Sequence, residues 1–346
     1  MQMTSFLVCP QCHGDLVRVD AAFNCPRCAK LYPMVDEVPQ FDLPNPDAPV
    51  PDAAAPAAPA ANLPRAADES RDVRRDYWNR GWEARLHGDH AFLLGLASRS
   101  EWVSYLQPAI AELTARGHVT CIEANRETLR GRTVLDIGCG GGATSATFGY
   151  YGAQYIGLDH SSNAARYSLR HLRGAGGDGF TVQGNAESLP IRDGSIDVVY
   201  SNGVLHHTPN FLTAMDEAYR VLRPGGTAII ALYATWSTQF GVLRLLGALR
   251  GNLSRKAMER WMGEASEGDW RTGDRRNPWT ETFSEAQLRR VVSKYPMRGL
   301  SFRKNGSPVG ELPRIGAALL RFAPLRWIDR ALEPWLGSML IMSLRK

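Results

Sequence analysis

From residue 132 onward, short apolar runs alternate with segments in which apolar positions recur every three or four residues. Short apolar runs are typical of strands buried in a parallel sheet, and the wider spacing is typical of the helices that cover it. The pattern predicts strands at 133–137, 155–159, 180–183, 196–201 and 227–233, and helices at 143–151, 163–172 and 211–221. This alternation favours an α/β fold with a mostly parallel sheet.

The flanking regions follow other patterns. Residues 43–67 are rich in proline and alanine, which cannot bury a core, so we expect an extended linker there. Residues 68–130 have helical spacing. After residue 233 the chain reads as helical and arginine-rich to about 294, with strands near 300–304 and 338–344 around an apolar helical stretch at 315–336.

These changes divide the chain into predicted units. They are a compact block at 1–42, the linker at 43–67, a helical N-terminal cap at 68–130, and an α/β domain at 131–346 with helical insertions at about 236–294 and 312–336. No run of about 18 apolar residues occurs, so we expect no transmembrane segment. The first residues also lack the pattern of a secretory signal, which favours a cytoplasmic protein. The oligomeric state stays open.

A glycine-rich stretch follows the first predicted strand of the α/β domain. It reads Val-Leu-Asp-Ile-Gly-Cys-Gly-Gly-Gly over 134–142. Glycines at such a turn let the backbone approach a bound cofactor closely, and the acid before them suits a cationic ligand. The spacing departs from that of nicotinamide and flavin domains, where the third glycine falls three residues after the second.

This stretch and Asp159, at the end of the second strand, resemble the class I (Rossmann-like) methyltransferases that use S-adenosylmethionine. The resemblance is closest to the ubiquinone/menaquinone-methyltransferase-like group and covers residues 130–235 in detail. It implies a seven-stranded, mostly parallel Rossmann-like sheet with helical cap insertions. It also implies that Asp136 lies near the methionine amino group, and that Asp159 accepts both ribose hydroxyls, since two carboxylate oxygens match two donors.

The segment 183–190 resembles the adenine-binding element of the same family. The resemblance implies that the backbone N–H of Ala186 donates to adenine and that the side chain at 185 accepts from its amino group. Most relatives have Asp at that position; the amide oxygen of Asn185 can still accept. The cofactor contacts predicted in this way are Asp136, Gly138, Cys139, Gly140, Gly142, Asp159, His160, Asn185, Ala186, Glu187 and Asn202.

His206 and His207 follow the fourth strand, where the methyl acceptor is expected to arrive. Transfer from a sulfonium is an in-line displacement, and it needs a base only if the nucleophile retains a proton. Both histidines are candidates for that base, with cofactor contact as the alternative. Around them we predict an acceptor pocket, with ordinary core packing as the alternative for its aromatic members; its candidates are Tyr77, Trp78, Trp82, Trp279 and Glu281.

Two Cys-x-x-Cys pairs lie in the first block, Cys9 with Cys12 and Cys25 with Cys28. Four thiolates satisfy a tetrahedral structural Zn²⁺, and so small a block needs such a link to fold. With the residues that follow them, the pairs resemble the zinc ribbons of Trm112-like proteins. A redox dithiol is the alternative. Substrate docking, partner binding and packing against the catalytic domain all stay open as the role of the ribbon.

Charge is distributed unevenly along the chain. Residues 1–243 contain 20 Lys+Arg and 25 Asp+Glu, whereas residues 244–346 contain 20 and 10. The basic part suits an acidic substrate, an anionic membrane or nucleic acid, or is simply a solvated surface. We favour a methyltransferase for a small-molecule acceptor, a metabolite or a lipid-like compound. The alternative is an RNA or protein methyltransferase whose ribbon docks a macromolecule; the cofactor loop disfavours a non-enzymatic scaffold.

Overall fold

The computed structural model describes residues 1–42, 73–83, 98, 100–102, 104–105, 107, 129–249, 277–312 and 316–346. The predicted linker, and much of the predicted N-terminal cap and of the insertion at 236–294, lie outside these residues. The described chain forms a small N-terminal sheet and a large α/β sheet.

The N-terminal sheet contains four short antiparallel strands in sequential order. They are β1 (Val17–Val19), β2 (Ala22–Asn24), β3 (Leu31–Val35) and β4 (Val38–Pro39). Its buried side chains include Phe23 and Cys25, which join the same hydrophobic cluster as Ile191 of the large domain. The ribbon-like block therefore packs against the α/β domain, which is one of the three roles that its sequence left open.

The large sheet has seven strands. In chain order they are β5 (Thr133–Ile137), β6 (Gln154–Asp159), β7 (Asp178–Gln183), β8 (Ile196–Asn202), β9 (Leu222–Tyr233), β10 (Arg298–Asn305) and β11 (Met339–Arg345). Their order across the sheet is β10-β11-β9-β8-β5-β6-β7. Strands β5 to β9 pair in parallel, and β11 runs antiparallel to both of its neighbours. The predicted fold class, a seven-stranded mostly parallel sheet with helices, is confirmed.

Helices cover this sheet and follow several of its strands. They are α1 at 73–83, α2 (Ala143–Tyr150), α3 (Ser162–Gly174), α4 (Phe211–Val221), α5 (Thr238–Leu249), α6 (Glu285–Val292), α7 (Gly316–Leu319) and α8 (Ala323–Leu336). Ser161 caps α3 by accepting from the N–H of Ala164, and Ser284 forms a capping box with Gln287 at the start of α6. Within the described ranges, no helix is long and apolar enough to cross a bilayer.

Two predicted elements have different limits in the structure. Strand β9 starts at Leu222, not at 227, because the Arg-Pro-Gly-Gly segment continues the strand with a register irregularity opposite Ile196–Val198. The apolar stretch at 315–336 contains two helices. Pro324 lies in the first turn of α8, where a residue without an N–H is tolerated, and Pro334 lies inside the same helix.

Candidate active site and metal centre

The glycine loop leaves the carboxyl end of β5 and turns sharply into α2. Gly138, Gly140 and Gly142 all have positive φ angles, of 82°, 52° and 95°. A Cβ on Gly138 would lie 2.2 Å from Cγ2 of Val204, so a side chain at this position would overlap an existing one. The spacing of the three glycines therefore follows from the positive φ angles of the backbone, and the loop is a cradle that requires glycine at these positions.

Two buried carboxylates flank this loop. Asp136, on β5, accepts a 2.7 Å hydrogen bond at Oδ2 from the hydroxyl of Tyr155. Burial raises the pKa of Asp136 to about 7; the bond from Tyr155 opposes the shift and the charge of Asp159 adds to it. Asp159, at the end of β6, accepts from the backbone N–H of Gly140 at 2.9 Å and of Ser161 at 2.8 Å. Burial also raises the pKa of Asp159. A cationic ligand would stabilise the ionised form of either acid.

Helix α1 lies across the opening of this site. Trp82 packs over the loop, where its ring would be 2.9 Å from a Cβ on Gly140. Asn79 accepts a 2.8 Å hydrogen bond from the Ser161 hydroxyl, and Arg74 lies 3.9 Å from Glu187. Sequence reasoning identified Trp82 but missed Asn79 and Arg74, because polar positions on a helix normally indicate its solvent face. The sequence signal for Asn79 and Arg74 was their helical spacing from Trp82, three and eight residues before it.

The predicted adenine element forms a tight loop after β7. Oδ1 of Asn185 accepts from the backbone N–H of Glu187 at 3.0 Å, and Ala186 is buried. Glu187 accepts a 2.8 Å hydrogen bond from Nδ2 of Asn210. The side chain of Asn185 thus shapes its own turn, and this bond uses one of the two acceptor positions on its oxygen.

The side chain of His160 faces the N-terminal block. Its Nδ1 lies 3.0 Å from Oδ2 of Asp42. Gln183 links the same residues: its Nε2 donates to the carbonyl oxygens of Asp42 and His160, both at 3.1 Å, and its Oε1 accepts from the N–H of Asp42 at 3.0 Å. The sequence did not indicate Asp42, because it precedes the linker and lies far from the motif in the chain.

His207 is buried in a polar cluster after β8. Its Nδ1 lies 2.9 Å from the carbonyl oxygen of Trp279, 3.1 Å from Nδ2 of Asn277 and 3.3 Å from the hydroxyl of Thr280. Its Nε2 is buried and has no hydrogen-bond partner among the described residues. Burial lowers the pKa of His207 to about 4, against the opposing effect of the Trp279 carbonyl. This imidazole is neutral at physiological pH.

His206 has a different environment. Its Nδ1 accepts from the backbone N–H of Tyr233 at 3.2 Å, and its ring stacks on the Tyr233 ring at 3.8 Å between centroids. Burial lowers its pKa well below the ordinary histidine value. The backbone carbonyl of His206 also accepts from the N–H of Glu281. These bonds connect the loop after β8 to β9 and to the segment before α6.

Several acceptor-pocket candidates meet at His207. The ring of Trp78 lies 5.5 Å from that of His207, and the edge of Tyr77 contacts Trp78 at 5.3 Å. The backbone N–H of Trp279 donates to Oδ1 of Asn277 at 3.1 Å, which positions the residue. Its indole N–H is buried and has no hydrogen-bond partner in the described ranges. The structure therefore brings α1 and the segment before α6 together, although 200 residues of chain separate them.

The four cysteines of the N-terminal block converge as their spacing predicts. Their sulfur atoms all lie within 4.8 Å of one another, with Cys9 and Cys28 3.5 Å apart and Cys12 and Cys25 3.4 Å apart. A tetrahedral Zn²⁺ with bonds of about 2.3 Å requires sulfur atoms about 3.8 Å apart, so the arrangement is compatible with zinc. The hydroxyl of Tyr32 lies 3.1 Å from the sulfur of Cys9 and can orient that thiolate.

The chain has similarities to known proteins in this region. The sequence profile of a family described as "Methyltransferase domain" matches residues 135–230. A curated protein of Mycobacterium sp. (strain JLS), described as an uncharacterized methyltransferase, is 36% identical over 140 residues, which cover 38% of this chain and 51% of that protein. The chain thus spans about half the length of the curated relatives it matches.

Solved structures resemble the fold at low identity. One is magnesium protoporphyrin IX methyltransferase from Synechocystis PCC 6803 with bound SAH (16% identity, 80% of this chain and 99% of the other, TM-score 0.44). Another is a complex of the Haloferax volcanii Trm112 methyltransferase activator with a methyltransferase (19% identity, 71% and 97%, TM-score 0.44). From the family match, residues 135–230 carry a methyltransferase domain, the enzyme class that the glycine loop and its acids predicted.

Proposed function

We propose that this chain is a methyltransferase that uses S-adenosylmethionine to methylate a small, lipid-like acceptor. Acceptors that carry an acidic group belong to this proposed class. The observation that carries the proposal is the pair of buried acids, Asp136 and Asp159, on either side of a glycine cradle. S-Adenosylmethionine supplies a methyl group on a cationic sulfonium. Positioning, exclusion of water and the handling of any proton depend on the side chains of this protein. Its motifs favour the ubiquinone/menaquinone-methyltransferase-like group.

The two acids would have separate roles. Asp136 would bind the methionine ammonium, which gains from an ionised carboxylate in a buried site. Each oxygen of Asp159 accepts one backbone N–H and keeps a second lone pair for a ribose hydroxyl. The remaining residues proposed to border the cofactor are Gly138, Cys139, Gly140, Gly142, His160, Asn185, Ala186, Glu187 and Asn202.

Aromatic side chains would form the acceptor wall. Trp78 and Trp279 both contact His207, the first by its ring and the second by its carbonyl. With Nδ1 donating to the Trp279 carbonyl, Nε2 of His207 would be unprotonated, so it would accept a hydrogen bond from the acceptor and orient its nucleophile. With a pKa of about 4 it is a weak base, so positioning fits it better than full proton transfer. Tyr77 would support Trp78, Trp82 would close the cofactor side, and Glu281 would border the wall.

A second candidate, methylation of RNA or protein, is favoured by one feature of the ribbon. Apolar side chains on its strands β1 and β3 are exposed, namely Val17, Val19, Leu31 and Val35. Exposed apolar positions concentrated on one small sheet indicate a docking surface. We also propose that the cysteine cluster holds a structural zinc, since four thiolates leave no coordination position open for catalysis.

The cofactor proposal is tested by calorimetric binding of S-adenosylhomocysteine to the full chain. Asp159→Asn should weaken binding about tenfold or more, because a charged acceptor is lost. Asp178→Asn is the matched control, because Asp178 lies on the same sheet as Asp159 but its exposed carboxylate pairs with the N-terminal amino group of the chain. Its substitution should not change binding. If the wild-type chain does not bind S-adenosylhomocysteine, the proposal is wrong.

The acceptor class is tested by labelling. The chain is incubated with S-adenosylmethionine carrying a tritiated methyl group and with separate lipid, RNA and protein fractions. Label in the organic phase supports a lipid-like acceptor. Label in RNA that is released by ribonuclease, or in protein, supports the second candidate, as would transfer that falls steeply with salt.

A further inference from the structure

Helix α8 contacts the rest of the protein through its polar face. The carboxylate of Asp329 accepts from the hydroxyl of Ser307, at 3.1 and 3.0 Å, and from the N–H of Val309 at 2.7 Å. Glu333, one turn further on, accepts from the N–H of Gly306 at 3.2 Å. Surface helices of globular proteins normally pack with their apolar face inward, so the orientation of α8 is inverted.

The apolar face of α8 is consequently exposed. Trp327 and Trp335 are 73% and 74% exposed, and no residue of the helix is buried. The other exposed apolar side chains on or next to the helix are Phe322, Ile328, Leu332 and Leu336. On the helical wheel, residues 327, 328 and 335 fall opposite Asp329 and Glu333, and residues 332 and 336 fall between the two sides. Contiguous apolar surface of this kind marks an interaction site.

A second exposed apolar segment adjoins this face. The ammonium of Lys304 donates to the carbonyl oxygen of Trp335 at 2.6 Å and also to that of Trp236. Trp236 precedes α5 and is 68% exposed, and along α5 the side chains of Leu245 and Leu249 are exposed too. We call the surface made of Trp236, Trp327, Ile328, Leu332 and Trp335 the tryptophan face.

Three arginines lie on α8 or directly before it, beside the tryptophan face. Arg321, Arg326 and Arg330 are exposed, and none of them forms an ion pair within the described residues. The two acids of α8 are turned away, toward the protein. At about 100° per residue, Arg330 falls next to Trp327 and Arg326 next to Glu333, so the guanidinium groups border the apolar side of the helix along one edge, in the basic part of the chain.

We propose that the tryptophan face docks on an anionic lipid membrane, with α8 lying in the plane of the interface. Tryptophan partitions to the boundary between headgroups and acyl chains, and arginine side chains extend from an apolar helix face to lipid phosphates. A second copy docked through the same face would offer these arginines no negative charge, because its acids Asp329 and Glu333 face its own interior. Charge thus selects the membrane over a second copy.

Docking in this orientation would place the acceptor side of the active site near the bilayer. The carboxyl ends of β9 and β10 lie at the same edge of the sheet, where Met339 of β11 pairs with both Tyr233 and Asn305. Tyr233 is also the residue that stacks on His206. The membrane inference rests on the tryptophan face, so it does not depend on the proposed methyl transfer.

The test is co-sedimentation of the full chain with vesicles of phosphatidylcholine alone and of phosphatidylcholine with about 30 mol % phosphatidylglycerol. We expect binding to the anionic vesicles, weakening as ionic strength rises. Trp327→Ser/Trp335→Ser should reduce the bound fraction about fivefold or more. Arg326→Glu/Arg330→Glu should remove the preference for anionic vesicles.

Two control variants make comparable changes at exposed positions away from the tryptophan face. Leu212→Ser removes an exposed apolar side chain on α4, and Arg290→Glu/Arg298→Glu reverses two exposed charges off the tryptophan face; both should bind as the wild type does. Equal binding by all variants, or no binding by the folded wild type, overturns the proposal. So does a wild-type dimer in sedimentation velocity that Trp327→Ser/Trp335→Ser dissociates, because the occupant is then a second copy.

Discussion

Nδ1 of His160 lies 3.0 Å from Oδ2 of Asp42, so the end of the cysteine-bearing block pairs with the residue directly after Asp159. The carboxylate of Asp42 is almost fully buried, and Gln183 holds the backbone of Asp42 from the adjacent strand β7. This contact thus connects the block to Asp159, at the proposed ribose site. This connection makes the block a brace for the end of β6.

Removing this contact should weaken cofactor binding and lower the stability of the protein. We expect Asp42→Ala to weaken S-adenosylhomocysteine binding about three- to tenfold and to lower stability by about 1–3 kcal/mol, since it leaves buried polar groups without a partner. Calorimetry and denaturant unfolding measure the two effects. Asp36→Ala, whose exposed carboxylate pairs with Arg166 at 2.7 Å, should change both by much less. Equal effects of the two variants would contradict the brace.

Asp136→Asn should change stability and cofactor binding in opposite directions. The folded-state pKa of Asp136 is raised to about 7. At a pH between the unfolded-state and folded-state pKa values, the folded protein therefore keeps a proton on Asp136 that the unfolded chain has already lost. Stability of the free protein therefore falls between about pH 4 and 7 and stays low above, by on the order of 4 kcal/mol at most. The variant lacks this loss and should unfold at a higher temperature at pH 8.

The same variant should bind S-adenosylhomocysteine about tenfold or more weakly, because the ammonium loses its counter-charge. In the wild type, affinity should decline as pH falls below about 7, where binding must displace a proton from Asp136. Calorimetry between pH 5.5 and 7.5 measures this slope, with Asp178→Asn as control. A wild-type affinity independent of pH would show that Asp136 does not face the ammonium.

The cysteine cluster should contain one zinc per chain. Metal analysis of Cys12→Ser should show loss of the metal, whereas Cys139→Ser, altered in the glycine loop, should retain it. Because Cys9 and Cys25 share a core with Ile191, loss of the metal should also lower the unfolding temperature of the large domain. Full metal content in Cys12→Ser would argue against a four-cysteine site.

His207→Ala should reduce turnover without changing how turnover depends on pH. With a pKa of about 4, the imidazole is neutral from pH 6 to 9, so a positioning role predicts a constant loss of about tenfold to a hundredfold across that range. Turnover of the acceptor identified by labelling measures the effect, with S-adenosylhomocysteine affinity as the control. A loss confined to one side of a pH step would instead indicate proton transfer. Unchanged turnover would exclude both roles.

Gly138→Ala should prevent proper packing of the cofactor loop. Its φ of 82° disfavours any side chain, and the new Cβ would overlap Val204. We expect a loss of more than about 2 kcal/mol, part of which the double variant Gly138→Ala/Val204→Ala should recover. Gly194→Ala has a φ of 59° but open space around it, so it should lose only about 1 kcal/mol. Urea unfolding compares the three variants.

Much of this protein follows from local features of its sequence. The alternation of apolar runs and helical spacing determined the α/β sheet, because strand and helix periods are local properties of the chain. Positive φ at Gly138 and convergence of Cys9 with Cys28 also follow from short motifs, in which spacing sets the geometry. These features needed no knowledge of distant contacts.

Other features were decided only by tertiary packing. The contact of Asp42 with His160, the position of Asn79 beside Ser161, and the low pKa of His207 arise where segments far apart in sequence meet. The outward apolar face of α8 belongs here too. Its periodicity predicts an amphipathic helix with the apolar face inward, and only the carboxylate of Asp329 bonding to Ser307 and Val309 shows that the polar side faces the protein.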